Sequence, residues 1–155
     1  MIFVDPREFP ARPPSEVEWE DLLVRLEIAP RALRIAVEEA DPDDEDLLDL
    51  LGLAVMSEAF LREHLESMIE GRPALDGFGM ESTPQDTAAL VAEITRLRYR
   101  NFVMVQRRGI NVWEWTLQGG GMTGVTAYQL FQAAAKMDGI LLDAARQAGR
   151  GGARA

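Results

Sequence analysis

The stretch TPQDTAALVAEITRLRYRNFVMVQR, residues 83–107, sets Leu90, Ile94, Leu97, Asn101 and Met104 at intervals of four, three, four and three. That spacing is the seam of a helix packed lengthwise against other helices. Thr83 followed by Pro84 reads as an N-cap with proline at the first helical position, and Gly109 stops the helix beyond Arg107. Arg96, Arg100 and Arg107 share another side. On so acidic a chain they are expected to pair with neighbouring carboxylates rather than to hold a phosphate.

Upstream, a second helix is expected from about Asp44 to Glu70, ended by Gly71 and Pro73. Its middle, Leu47, Leu48, Leu50, Leu51, Leu53, Ala54, Val55 and Met56, is apolar nearly all round, where a surface helix shows one stripe. This predicts a second covered face, either a twofold homodimer through Leu48 and Val55 or the N-terminal arm folded back with Ile2, Phe3, Val4 and Phe9. Ser15 and Glu18 form a capping box for the first helix, whose Leu22, Leu23 and Leu26 fall at helical spacing. Pro30 is expected to kink or split it before Ala32 to Ala40. The acidic run Glu38 to Asp46 reads as a solvated loop leading into the second helix. It is no EF-hand, because Asp46 stands where that loop needs glycine and Gly52 where it needs glutamate.

Downstream, residues 109–126 read as an irregular link holding Trp113, Trp115 and the triplet Gly119-Gly120-Gly121, with no P-loop lysine after it. The last helix opens near Thr123 or Thr126 and runs to about Gln147, with Leu130, Ala134, Met137, Leu141 and Ala144 along one face. The expected fold is all-α, an antiparallel four-helix bundle with a long link between helices three and four. Residues 1–148 form a single domain that begins with an extended arm, residues 1–14, containing Pro6, Pro10, Pro13 and Pro14. Residues 149–155 read as a disordered tail.

Composition narrows the function. The net charge of −10 opposes general nucleic-acid binding and an anionic membrane surface. No apolar run reaches membrane-spanning length and the start lacks the basic and apolar regions of a signal peptide, so a cytoplasmic setting is expected. With no cysteine, a disulfide scaffold and a thiol nucleophile are excluded. His64 is the only histidine, and one imidazole cannot supply a zinc site. It is expected to be a partly exposed bundle residue among Arg62, Glu63 and Glu66.

Five short stretches carry a resemblance. They are Ala29-Pro30-Arg31-Ala32-Leu33-Arg34, then Ser57-Glu58-Ala59-Phe60-Leu61, then Glu70-Gly71-Arg72-Pro73, Arg98, and Gly124-Val125-Thr126. In this order and spacing the chain resembles the DinB-like (YfiT-like) bundle family over nearly its whole length. The resemblance implies a metal site built from a histidine five residues before Glu58 and from a His-Asp-x-x-His motif on the last helix. Here those positions hold Leu53, Met137 and Leu141, while Glu58 and Asp138 match the flanking acids. His64 lies eleven residues beyond Leu53, roughly 16 Å along the axis, too far to substitute. A pairing of Arg98 with Glu58 or Asp138 is the expected use of those acids. The reading that follows is a non-catalytic, metal-free bundle without cofactor, a homodimer that binds a protein partner or a small apolar ligand in a bacterial stress or damage setting. Its pocket would lie at the vacated positions, roofed by Trp113 or Trp115. The alternative is a metal-dependent hydrolase or thiol transferase using an unconventional carboxylate site.

Overall fold

The computed structural model describes residues 4–74, 86–108, 112, 114–118 and 122–152. Four helices make up the body: α1 (Glu16–Glu38), α2 (Glu45–Glu70), α3 (Thr87–Gln106) and α4 (Ala127–Gly152). No described residue belongs to a strand beyond one isolated antiparallel bridge between Thr116 and Thr126.

Local chemistry sets the helix ends. Ser15 accepts from the Glu18 N–H while the Glu18 carboxylate accepts from the Ser15 N–H, the reciprocal capping box. Asp44 caps α2 through the Leu47 N–H, and Gly71 ends it in the left-handed conformation at φ 66°, which glycine adopts without a Cβ clash. The start of α3 differs from the sequence expectation. Asp86 is its N-cap, accepting from the Ala89 N–H, three residues after Thr83; Thr83 and Pro84 lie outside the described residues. At α4, Thr126 and Gln129 form a second reciprocal pair, and the Gln129 Nε2 donates to the Phe9 carbonyl at 2.7 Å. One glutamine thus caps the last helix and ties the N-terminal arm to it.

The arm is not extended throughout, because Pro6–Glu8 form one 3-10 turn with Asp5 as its cap and Pro6 buried. Proline suits such a turn at the first position, where its missing N–H has no partner to lose. The link before α4 is likewise more ordered than expected. Leu117 N–H donates to Val125 O, Gly124 N–H to Leu117 O, and Ala127 N–H to Trp115 O, so the chain doubles back on itself. The glycine triplet 119–121 lies outside the described residues. Helix α4 continues through the stretch expected to be a disordered tail as far as Gly152, and the space at Gly149 explains part of this. A Cβ built there would stand 3.2 Å from the Glu39 carbonyl oxygen, so glycine lets α4 lie against the end of α1.

Helix α1 packs on α4 and α3, and α2 packs on α3 and α4, which puts α1 and α2 on one diagonal of the bundle. Helix α2 therefore buries two sides, which covers most of its apolar run, although Met56 stays exposed and Leu50 and Leu53 are half-buried. Val55, expected on a dimer face, is buried in the core, and Leu48 is half-buried against the same cluster. Val55 therefore offers no exposed surface to a second subunit. Val4 from the arm packs against this cluster too.

The core divides in two. One cluster holds Leu33 and Val37 of α1, Leu47 to Val55 of α2, Leu90 to Leu97 of α3 and Met137 to Ala148 of α4. The other holds Trp19 to Leu26, Leu61 and Leu65, Phe102 and Val105, and the start of α4 around Phe131. On α1, α2 and α3 the gap between them is filled by Pro30, Glu58, Arg98 and Asn101, all buried. Among the described residues no helix is long and apolar enough to cross a membrane.

Candidate functional site

Arg98 stands on α3 one residue beyond Leu97, in the middle of the buried row Ile94, Leu97, Arg98, Asn101 and Val105. A guanidinium buried there must have its five N–H groups bonded. All five are. Nε and Nη2 donate to Glu58 Oε1 on α2 at 2.9 and 2.6 Å. Nη2 and Nη1 also reach Asp138 Oδ1 and Oδ2 on α4 at 2.8 and 2.9 Å. The fifth bond runs from Nη1 to the Leu26 backbone carbonyl on α1 at 2.8 Å. One side chain bonds all three other helices.

The Leu26 carbonyl is free to accept because of Pro30. In an unbroken α-helix it would take the N–H of residue 30, which proline lacks. Pro30 neither splits nor ends α1, which is continuous from Glu16 to Glu38. Instead it opens a backbone acceptor at the level where Arg98 arrives. Of the expected kink or split, the split does not occur, and the opened carbonyl links a residue of α1 to one in α3 that local pattern does not connect.

Two carboxylates share one cation. Asn101 Nδ2 adds hydrogen bonds to Glu58 Oε2 and to the Glu58 carbonyl, at 3.1 and 3.2 Å. Its own Oδ1 is buried without a partner among the described residues. Burial pushes the Asp138 carboxyl above its ordinary pKa, against the opposing pull of Arg98, and the nearby Glu58 charge adds to the rise. For Arg98, burial acts to lower the pKa, but the charges and hydrogen bonds of Glu58 and Asp138 outweigh it and the pKa is raised. The guanidinium stays charged.

Beside this cluster lies a cavity of about 270 Å³. Its wall is largely apolar: Ala54 and Leu61 from α2, Ile94 from α3, and Leu130, Ala133, Ala134, Met137 and Leu141 from α4. Glu58, Arg98 and Asp138 form its polar floor, and Val4 to Arg7 of the arm with Met122 of the link complete the lining of this partly open space. Of the vacated positions, Met137 and Leu141 line this space while Leu53 does not; Leu53 is half-buried on the flank of the core. Of the two tryptophans expected to roof it, Trp115 does not line the cavity. Trp115 packs with the second core cluster, Met122 and the arm are among the residues that line the space, and Trp113 lies outside the described residues.

The residues present do not fit a transition metal. Both acids are occupied by Arg98, their neighbours Met137 and Leu141 are apolar, and among the described residues no three His, Cys, Asp or Glu side chains come together. His64 is buried rather than partly exposed, stacked on Phe60 at 3.7 Å between ring centroids, with Nδ1 2.7 Å from the Phe60 carbonyl. A carbonyl only accepts, so Nδ1 carries the proton. No family model, curated protein or solved structure matches the chain.

Proposed function

We propose that this chain is a metal-free, non-catalytic bundle of DinB-like descent that binds a small, mainly apolar molecule in the cavity beside Arg98. The observation that supports it is the pairing of a roomy apolar wall with a floor whose donors are all used. An apolar cavity of about 150 Å³ takes benzene, so one of 270 Å³ has room for a somewhat larger body. Arg98 has no N–H left to offer, whereas the carboxylate oxygens keep unused lone pairs. With one guanidinium against two carboxylates, the ionised floor carries an excess negative charge. The matching ligand is an apolar body ending in a protonated amine or another hydrogen-bond donor, not a carboxylate or phosphate. A stress-linked role belongs to the same proposal and rests on the family resemblance alone; a cytoplasmic setting is proposed with it because no helix among the described residues is long and apolar enough to cross a membrane.

Paired fluorescent probes test this. A dansyl-alkylamine is expected to bind one to one with a blue-shifted emission, and the dansyl carboxylate of equal length to bind far more weakly. Ala134→Phe, which fills the cavity from its half-buried wall, should abolish binding while preserving helical circular dichroism. Equal binding of both probes, or binding unaffected by Ala134→Phe, would overturn the assignment.

A further inference from the structure

The outer face of α1 carries large apolar side chains that nothing among the described residues covers. Val17, Val24, Ile28 and Ile35 are between 51% and 67% exposed. Their spacing of seven, four and seven keeps them within about 20° of one line down the helix. Asp21 and Arg31 complete a heptad seam, with Val17, Val24 and Arg31 on one set of positions and Asp21, Ile28 and Ile35 on the other. Both charged residues are exposed, and neither forms an ion pair among the described residues.

The seam is self-complementary when run backwards. Reflected about Leu26, Val17 falls on Ile35, Val24 on Ile28, and Asp21 on Arg31. In an antiparallel pair of helices the two seam positions face each other across the twofold axis, so each apolar residue meets an apolar one and each charge meets its opposite. A parallel pair would instead set Asp21 beside Asp21 and Arg31 beside Arg31. We infer that the occupant of this face is a second copy of the chain, docked α1 against α1 in antiparallel register, with Asp21 and Arg31 forming two symmetric interchain ion pairs that fix that register. This face is on the opposite side of α1 from its contacts with α3 and α4, and the inference does not depend on the cavity or its ligand.

Sedimentation velocity on the full chain, from low micromolar to sub-millimolar concentration, tests it. The wild type is expected to show a monomer–dimer equilibrium. Asp21→Arg or Arg31→Asp alone sets like charges opposite each other in both symmetric layers and should weaken the dimer at least about tenfold. The combined exchange Asp21→Arg with Arg31→Asp restores opposite charges and should restore the dimer. Ile28→Asp, exposed and beside Val24 of the partner subunit, should abolish it with helical content unchanged. A wild-type monomer throughout, a dimer indifferent to these variants, or single reversals not rescued by the exchange would each overturn the inference.

Discussion

Replacing Arg98 by methionine keeps most of the side-chain volume and removes all five hydrogen bonds. Glu58 and Asp138 are then left buried without a cation, and the Leu26 carbonyl without a donor. Stranding one partner of a buried ion pair costs about 3–5 kcal/mol, and an unpaired buried carbonyl about 1–3 kcal/mol. The total at pH 7.5 should be on the order of 5 kcal/mol, a large share of the 5–15 kcal/mol typical of a whole domain. The loss has a pH signature. Stranded carboxylates escape their penalty by taking up protons, so their folded-state pKa values rise above the unfolded ones. Such groups contribute fully below the unfolded pKa and lose that contribution as pH rises through the folded value. Each extra proton bound by the folded state over the whole span is worth about 3.4 kcal/mol between pH 7.5 and pH 5. Urea unfolding followed by circular dichroism at both pH values reads this directly. The wild type should show a weaker trend of the same sign, since the Asp138 carboxyl is already raised by burial. A loss below about 1 kcal/mol at pH 7.5, or an equal loss at both pH values, would refute the assigned role of Arg98.

Restoring the missing N–H by Pro30→Ala should make the Leu26 carbonyl independent of Arg98. The cost of Arg98→Met is then expected to shrink by about 1–3 kcal/mol in that background, and a double-mutant cycle with no coupling would reject the link. Gly52→Ala and Gly139→Ala meet nothing within 4 Å and should each stabilise the protein by about 0.5–1 kcal/mol. Gly149→Ala should forfeit that gain because its Cβ would press on the Glu39 backbone; equal melting-temperature rises in all three would contradict the packing. Elemental analysis of purified protein should find no stoichiometric transition metal, and one zinc or nickel per chain surviving dialysis would reject the donor-set argument.

The helices were legible because their signals are local. Ser15 with Glu18, and Gly71, act within a few residues of themselves, and the structure uses each as read; Asp44, read only as the approximate start of α2, is its N-cap. Asp86 was overlooked because the Thr-Pro pair just before it is an equally good local start. Leu53 and Val55 were misplaced for a different reason. With α2 apolar on nearly every side, sequence alone does not say which residues face the axis, and the diagonal placement opposite α1 turns Val55 inward and Leu53 to the flank. A pairing of Arg98 with one of the two acids was expected once the resemblance brought Glu58 and Asp138 together; that the guanidinium takes both was not. Its bond to Leu26 was not, since that contact joins a side chain to a backbone atom exposed by a proline four residues further on.

The polar waist between the two apolar clusters also bears on how the molecule opens. In a bundle with one continuous greasy core, a helix can slip by a turn, or one end can fray while the other holds, at modest cost. Here any slip of α1, α2 or α4 along α3 pulls an oxygen away from a buried guanidinium. The two halves of the core are therefore joined at a fixed level, and amide hydrogens near the two ends of the bundle are expected to exchange through the same global event. Breaking the waist with Arg98→Met would separate those events, so that exchange near Leu51 and near Leu65 would report two opening free energies in place of one.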